Sequence, residues 1–203
     1  FQLRGSELPA APASLDALRG KVAVVFGGSY GIGHDIVSQL YAAGVRVHAF
    51  ARSTTGTDVG SRESVAEALQ GVAKAEGRID YIINTAGVLN KEPLHAMEQE
   101  TIEAAVRTNY MGTVNVALEA YPYLKETRGK LVFFTSSSYT RGRAFYSIYS
   151  STKAAIVNFV QAVAQEWEAA GIAVNCINPE RTKTPMRVKN FGTEPDDTLL
   201  RSE

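Results

Sequence analysis

Short, continuously apolar segments alternate with longer amphipathic ones along most of this chain. The apolar segments predict buried strands, and these cover Lys21–Gly27, Val45–Ala51, Ile79–Asn84, Leu131–Thr135 and Ile172–Ile177. The amphipathic segments predict helices, and these cover Ile32–Ala43, Ser61–Ala75, Glu98–Lys125 and Tyr149–Ala169. Strands that are apolar on both faces and separated by helices form parallel sheets. The pattern therefore predicts an α/β fold, a doubly wound parallel sheet in three α/β/α layers.

The composition excludes several classes of function. Lysine plus arginine equals aspartate plus glutamate, 21 of each, which argues against general binding to nucleic acid or to an anionic membrane surface. No apolar run approaches the roughly 20 residues that span a bilayer. The single cysteine, Cys176, cannot form an intrachain disulfide, and this fits a cytoplasmic protein. His34, His48 and His95 lack the spacing of metal ligands, so no metal site is expected.

Both ends of the sequence resemble cut ends. The chain starts at Phe1, and the Pro/Ala-rich segment Pro9–Ala13 is typical of a linker between domains. We therefore expect residues 1–18 to be a linker from a preceding domain and residues 19–203 to be one domain. The polar tail Thr193–Glu203 contains no closing element, so we expect the C-terminal part of that domain to be missing.

A glycine-rich segment, Gly27-Gly28-Ser29-Tyr30-Gly31-Ile32-Gly33, connects the first predicted strand to the first predicted helix. Glycines at this position let the backbone approach a pyrophosphate, and the helix N-terminus adds partial positive charge. A three-glycine pattern alone is weak, but its place in a strand–helix–strand unit strengthens it. We expect dinucleotide binding on a Rossmann-type sheet, with Gly27, Ser29, Tyr30, Gly31, Ile32 and Gly33 at the cofactor.

A second motif places a tyrosine and a lysine on one face of a helix. Tyr149 and Lys153 are four residues apart, so they project from the same side. An ammonium beside a phenol stabilises the tyrosinate and is expected to lower the tyrosine pKa toward neutrality. Ser136 lies thirteen residues upstream, where the preceding strand ends; Ser137 and Ser138 are its alternatives, with turn formation as their ordinary role.

These motifs, in this order, resemble the short-chain dehydrogenase/reductase family over roughly residues 21–186. The glycines follow the family's G-x-x-x-G-x-G form, and Ser136, Tyr149 and Lys153 match its catalytic residues. The resemblance implies that Ser136 and Tyr149 bind a carbonyl oxygen, that Tyr149 supplies its proton, and that Lys153 also contacts the nicotinamide ribose. It further implies a proton relay through Asn109, cofactor contacts at Asn84, Ala86, Gly87 and Thr184, and a homo-oligomer.

The residues after the second predicted strand bear on which cofactor is used. Arg52-Ser53 stands where NAD-specific members place a carboxylate, and an arginine there suits the 2′-phosphate of NADPH/NADP+. Asp58-Val59 resembles the family's pair beside the adenine. The family has a helix and most of a strand between these two motifs, so the short interval is either a real deletion or a stretch missing from the sequence.

The segment after the last predicted strand resembles the reductase half of bifunctional cytidylyltransferase–reductases that make CDP-ribitol for capsule or wall polymers. This resemblance implies reduction of D-ribulose 5-phosphate to D-ribitol 5-phosphate, and a covalently linked cytidylyltransferase domain. Six cations border the expected substrate site, namely Arg141, Arg143, Arg181, Lys183, Arg187 and Lys189. Arg181 and Arg187 are the expected phosphate contacts; the alternative is a solvated surface loop. Glu180 replaces the family's glycine.

Two other functions remain open from the sequence. One is reduction of a different carbonyl, such as a ketoacyl thioester or a hydrophobic ketone. The other is a non-catalytic NADPH-binding sensor, which would have no need to keep Ser136, Tyr149, Lys153 and Asn109 together.

Overall fold

The computed structural model describes residues 15–201. Five parallel strands form one sheet in the order β2-β1-β3-β4-β5. The strands are β1 (Val22–Phe26), β2 (Arg46–Phe50), β3 (Tyr81–Asn84), β4 (Lys130–Phe134) and β5 (Ala173–Ile177). The helices are α1 (Gly31–Ala42), α2 (Arg62–Glu76), α3 (Gln99–Val106), α4 (Gly112–Thr127), α5 (Ser147–Glu166) and α6 (Pro185–Phe191).

The centre of the sheet explains the apolar strand pattern. Every residue of β1 is fully buried, because β2 and β3 pair with its two edges and helices cover its faces. Side chains of α2, α4 and α5 join those of the sheet in one apolar cluster that includes Val65, Val116 and Ile156. The predicted doubly wound α/β fold is confirmed.

Chain reversals follow local sequence signals. Ser61 caps α2, since its side chain accepts a hydrogen bond from the backbone N–H of Ser64 at 3.2 Å. Gly77 ends the same helix with φ of 71°, a left-handed conformation that glycine adopts without steric cost. These signals position the strand ends, where the loops of interest begin.

The long helix predicted over Glu98–Lys125 is interrupted. A π-helical segment, Arg107–Met111, separates α3 from α4. Such single π turns occur often at functional sites, because the extra residue redirects the side chains around it. Here the segment carries the buried residues Thr108 and Asn109. The apolar periodicity did not reveal this change of helix type.

The connection from β2 to α2 is short. Residues 51–61 join the two elements directly, without the helix and strand that the family resemblance led us to expect. As a result β2 pairs only with β1 and forms one edge of the sheet.

The predicted linker is only partly described. Residues 1–14 lie outside the described part of the chain, and Leu15–Leu18 form a short 3₁₀ helix. The backbone N–H of Gly20 then donates to the carbonyl of Gly44, which fixes the entry to β1 beside the end of α1. Across residues 15–201, no helix has the length and apolarity to cross a membrane.

Candidate active site

The five strands are parallel, so the loops that follow them meet at one edge of the sheet. There they enclose a cleft of about 260 Å³. Of the residues predicted to contact the cofactor, those lining this cleft are Gly27, Ser29, Tyr30, Gly31, Ile32, Gly33, Arg52, Ser53, Asp58, Val59, Ala86, Gly87, Tyr149, Lys153 and Thr184. Asn84 does not line it; its side chain is buried and accepts a hydrogen bond from the Ala86 N–H at 3.1 Å.

The glycine-rich turn after β1 lies at one end of the cleft. Gly27 has φ of 82°, and a Cβ on Gly33 would lie 2.2 Å from the Gly27 carbonyl oxygen, so a larger residue fits at neither position. The side chain of Tyr30, which precedes α1, makes no capping hydrogen bond to the helix. The first N–H groups of α1 therefore face the cleft without a side-chain partner, and this fits the pyrophosphate of a dinucleotide.

The far end of this turn lies beside the strand end of β2. The Ser53 hydroxyl donates to the Ser29 hydroxyl at 3.3 Å. Arg52 lines the cleft, is exposed, and forms no ion pair with any residue between 15 and 201. Its guanidinium is therefore available to an anionic group of a bound nucleotide.

Contacts with α4 hold the loop that contains Asp58 and Val59. The Asn115 amide donates to the Val59 carbonyl at 2.9 Å, and the Asp58 carboxylate accepts from the Gly60 N–H at 2.9 Å. A Cβ on Gly112 would lie 2.7 Å from Val59, so α4 and this loop are in close contact. Asn115 was not identified from the sequence, because nothing in an isolated helical asparagine shows which loop it holds.

The three predicted catalytic side chains come together around Tyr149. Tyr149 and Lys153 line this cleft, and Ser136 lines a second cleft that adjoins it and shares Tyr149. Tyr149 lies in the first turn of α5, and Ser136 lies two residues after the end of β4. The side chain of Ser136 lies beside the Tyr149 phenol. The ammonium of Lys153, one turn later, lies 5.6 Å from the centre of the Tyr149 ring. Among the three adjacent serines, Ser136 is the one in contact with Tyr149.

Ser138 holds Ser136 in place. Its backbone N–H and its hydroxyl lie 3.3 and 3.2 Å from the Ser136 hydroxyl oxygen, and both donate to it. Ser138 is buried, whereas Ser137 shows no such contact with Ser136. Both of the alternatives considered from the sequence therefore lie near the site, in different roles.

The electrostatics of the pair differ from the expectation. Burial raises the pKa of Tyr149, and the hydrogen bond from Ser136 only partly opposes this. In the chain without its cofactor, the expected lowering of the Tyr149 pKa by Lys153 therefore does not appear. Lys153 donates to the Phe134 carbonyl at 2.7 Å, and its burial lowers its own pKa to about 8, so it is largely neutral in the pH range where Tyr149 would lose its proton.

Asn109 occupies the π-helical segment and faces the same site. Its side-chain oxygen accepts from the Val88 N–H at 2.8 Å, while its amide donates to the Val88 carbonyl at 3.0 Å and to the Thr152 hydroxyl at 3.2 Å. A Cβ on Gly87 would lie 3.3 Å from the Asn109 oxygen and 3.6 Å from the Lys153 nitrogen. Asn109 thus borders Lys153 across Gly87 and fixes the loop after β3.

A second cleft of about 330 Å³ adjoins the first and shares Thr135, Tyr149 and Thr184 with it. Of the six predicted phosphate contacts, three line this cleft: Arg143, Arg181 and Arg187. The other three, Arg141, Lys183 and Lys189, are exposed and do not line it. Lys183 is paired with Asp196 at 2.7 Å, outside the cleft. Glu180, which replaces the family's glycine, also lines the second cleft.

The helix that forms one wall of the second cleft was not predicted from the sequence, although Arg187 on it was expected near the substrate. That wall consists of α6 and the segment that follows it, and it brings Phe191 and Glu194 to the cleft beside Tyr146. A signal was available, because Thr184 caps α6 and Pro185 occupies its first position, the arrangement typical of a helix start.

Comparisons with known proteins agree with this geometry. A family profile described as short chain dehydrogenase matches residues 53–195. The bifunctional ribulose 5-phosphate reductase/CDP-ribitol pyrophosphorylase of Haemophilus influenzae is 50% identical over 90% of this chain, which spans 38% of that protein. An acetoacetyl-CoA reductase of Shinella zoogloeoides is 32% identical over 82% of this chain and 76% of its own length.

A solved structure of a short chain dehydrogenase from Shigella flexneri, complexed with NADP, superposes with a TM-score of 0.84 at 25% identity, over 93% of this chain and 89% of that one. These comparisons confirm the family resemblance and the expectation of an oxidoreductase.

The alignments also resolve the short interval between Arg52 and Asp58. The alignment with the Haemophilus protein has 183 positions and covers 90% of the 203 residues of this chain. Nearly every position therefore holds a residue of this chain, so the alignment has almost no gap on this side, and it is long enough that it must include the interval. The alignment with the Shinella reductase has 185 positions for 82% of this chain, so about 19 of its residues have no counterpart here. The short interval is therefore shared with the bifunctional relative and is not a stretch lost from this sequence.

Proposed function

Because this chain belongs to the short chain dehydrogenase family, we propose that it uses NADPH to reduce the ketone of D-ribulose 5-phosphate to D-ribitol 5-phosphate. One observation carries the proposal. The glycine-rich turn, the Ser136–Tyr149–Lys153 group and two arginines without ion pairs, Arg143 and Arg181, lie in that order along two adjoining clefts. Such an order suits a nucleotide, a carbonyl carbon and an anionic group on the substrate.

Ser136 and Tyr149 both bind the carbonyl oxygen of the substrate, and Tyr149 donates its phenolic proton to that oxygen. A nicotinamide cofactor held by the glycine-rich turn and Lys153 would supply a hydride for the carbonyl carbon. Support for the role of Ser136 comes from Ser138, which donates to the Ser136 oxygen and so leaves the Ser136 proton free to donate elsewhere. Donors fixed in place before the reaction stabilise the negative charge that develops on oxygen.

Lys153 stabilises the tyrosinate left after proton transfer and contacts the nicotinamide ribose. Its position on the same face of α5 as Tyr149 supports this role, as does its burial, which keeps competing water away. Asn109 connects the lysine to solvent through a held water. The closeness of Asn109 and Lys153 on either side of Gly87 supports that relay.

NADPH is proposed over NADH because Arg52 stands at the end of β2, and it is exposed, cleft-lining and without an ion pair in the described chain. A guanidinium binds a phosphate through paired charge-assisted hydrogen bonds, and it has no equivalent contact with the two hydroxyls of an NADH ribose. The hydroxyls of Ser29 and Ser53, which are hydrogen-bonded to each other nearby, are further donors to the same phosphate.

The substrate is proposed from two sources. Arginines border the second cleft on a chain whose formal net charge is zero, and this local excess suits a phosphorylated substrate. The relative from Haemophilus influenzae, described as a ribulose 5-phosphate reductase, is 50% identical to this chain. That relative is bifunctional and this chain spans 38% of it, so we further propose that a cytidylyltransferase accompanies the reductase and that the product supplies CDP-ribitol for capsule or wall polymers.

Reduction of a ketoacyl thioester is the second candidate. The observation in its favour is the 32% identity to an acetoacetyl-CoA reductase along 76% of that protein. A thioester carries its phosphates far from the reacting carbonyl, so it would not require cations within the second cleft. Comparing acetoacetyl-CoA with D-ribulose 5-phosphate as substrates distinguishes the two candidates.

The test is NADPH oxidation, followed at 340 nm, with D-ribulose 5-phosphate, with unphosphorylated D-ribulose, and with NADH in place of NADPH. We expect turnover to require both the substrate phosphate and the cofactor 2′-phosphate. Tyr149→Phe should abolish turnover and leave NADPH binding intact, which also separates an enzyme from a cofactor-binding sensor. Efficient turnover of unphosphorylated ketones by the wild type would refute the proposed substrate.

A further inference from the structure

Arg187 is the one arginine of the second cleft that is paired with a carboxylate in the described chain. Its Nε and Nη2 donate to the two oxygens of Glu194 at 2.6 and 2.7 Å, a bidentate arrangement. The two side chains are only 18% and 22% exposed. Two of the five N–H donors of the Arg187 guanidinium are therefore already bound to a carboxylate.

The same guanidinium also packs on an aromatic ring. Its central carbon lies 4.7 Å from the centre of the Phe191 ring, and the Lys91 ammonium lies 4.7 Å from the same centre. Both are cation–π distances. The Phe191 ring therefore contacts two cations. The sequence did not predict that Arg187 or Lys91 packs on this ring.

A further aromatic side chain connects Phe191 to Tyr149. Tyr146 packs edge to face on Phe191, with ring centres 6.0 Å apart, and on Tyr149, with ring centres 6.3 Å apart. The contacts therefore run without a break from Glu194 through Arg187, Phe191 and Tyr146 to Tyr149. Since Phe191 ends α6, the chain of contacts fixes this helix as a wall beside the reacting group.

Replacement of Glu194 by a substrate phosphate on Arg187 is unfavourable for two reasons. The carboxylate would remain beside the phosphate and repel it, and the guanidinium would leave its place on Phe191 or be shared between two anions. By contrast, Arg143 and Arg181 line the same cleft and form no ion pair with any residue between 15 and 201. Neither has an ion pair to break when an anion binds, although Arg181 lies close enough to Glu194 for its charge to lower the pKa of that carboxylate.

We infer that Arg187 and Glu194 are positioning residues that hold α6 beside Tyr149, and that Arg143 and Arg181 distinguish a phosphorylated substrate from an unphosphorylated one. This division of roles rests on the proposed function, because it assumes an anionic substrate in the second cleft. It revises the expectation from the sequence, which paired Arg181 with Arg187.

The decisive quantity is the ratio of kcat/KM for D-ribulose 5-phosphate to kcat/KM for D-ribulose, measured on the full chain with NADPH. Arg187→Met should lower both values and leave their ratio within about twofold of the wild type. Arg181→Met should lower only the value for the phosphorylated sugar, by about 10- to 100-fold, as expected for loss of a charge-assisted hydrogen bond. A collapse of the ratio in Arg187→Met, with Arg181→Met and Arg143→Met unchanged, would overturn the inference.

A second measurement does not depend on the substrate. Glu194→Gln should increase the hydrogen-exchange rate of the α6 amides, because it weakens the contact that holds Arg187. Asp196→Asn is the matched control, since Asp196 pairs with Lys183 in the same segment but lies outside the cleft. Equal exchange in Glu194→Gln and the wild type would refute the positioning role. If the wild type does not favour the phosphorylated sugar, the proposed substrate fails, while this exchange experiment still decides the role of Glu194.

Discussion

A charged lysine buried next to the reacting tyrosine should cost the protein stability. Lys153 is 5% exposed, and no carboxylate contacts it in the described chain. Burial disfavours the ammonium and lowers its pKa from the ordinary 10.5 to about 8. We therefore expect Lys153→Met, an apolar side chain of similar length, to stabilise the cofactor-free protein while removing its activity.

The size of the effect follows from the pKa. A fall from 10.5 to about 8 corresponds to about 3 kcal/mol, at 1.36 kcal/mol for each tenfold change. Methionine does not replace the hydrogen bond from Lys153 to the Phe134 carbonyl, and the loss of this bond costs about 1 kcal/mol. The variant should therefore unfold with a free energy about 2 kcal/mol greater than that of the wild type at pH 7.

The difference should disappear at alkaline pH. Below pH 8 the lysine is charged in both the folded and the unfolded chain, so the folded wild type carries the full cost of burial. Between pH 8 and 10.5 the folded state loses its proton while the unfolded state keeps it, and the stability of the wild type rises with pH. At pH 9.5 the gain is about 2 kcal/mol, which brings the two proteins close to equal stability.

Urea denaturation of both proteins at pH 7.0 and pH 9.5, without cofactor, measures these differences. Lys74→Met, at an exposed site late in α2, is the control and should change stability by less than about 0.5 kcal/mol at either pH. A Lys153→Met variant less stable than the wild type at pH 7, or a difference that does not change with pH, would refute the reasoning.

Three further predictions concern the rest of the site. Gly33→Ala should prevent NADPH binding and destabilise the fold, because its Cβ would lie 2.2 Å from the Gly27 carbonyl oxygen. Gly71→Ala is the control, since a Cβ there meets nothing within 4 Å, and it should stabilise α2 by up to about 1 kcal/mol in urea denaturation. Arg52→Gln should weaken NADPH binding by about 10- to 100-fold in a fluorescence titration and leave NADH binding within about twofold, so equal losses would contradict a 2′-phosphate contact. Ser136→Ala should lower kcat by about 100-fold or more, whereas Ser137→Ala should stay close to the wild type, and the reverse order would move the substrate contact to Ser137.

The sequence predicted the strands and most helices because their signals are local. β1, for example, is apolar at every position and is buried at every position. The π-helical segment Arg107–Met111 was not predicted, since it keeps the apolar spacing of the helices on either side. Its cause is tertiary: Asn109 bonds the backbone of Val88 on a different loop, and no local pattern encodes that contact.

The candidate site shows the same limit. Motifs predicted that Ser136, Tyr149 and Lys153 lie together, because Ser136 follows β4 and the other two lie on one face at the start of α5. The signs of the charges around the second cleft could be predicted from the sequence, but their partners could not. Arg181 and Arg187 look alike in the sequence, yet within residues 15–201 only Arg187 forms an ion pair with Glu194, which follows α6. Side-chain pairing of this kind depends on how the folded chain packs. It gives different surroundings to two arginines that the sequence alone does not distinguish.

The shared short interval after β2 gives the site one further property. The acetoacetyl-CoA reductase that has about 19 more residues in its alignment is spanned by this chain over 76% of its length. The bifunctional relative, which does not have them, is spanned over only 38% of its length. Within residues 15–201 β2 is an edge strand, so Arg52 and Ser53 after its end border an edge of the sheet. The residues on that side of the cleft are therefore held by β1 and the glycine-rich turn, through contacts such as Ser53–Ser29. Arg52 is exposed whereas Lys153 is buried, so the end of a bound nucleotide beside Arg52 should be more exposed to solvent than the end beside Lys153.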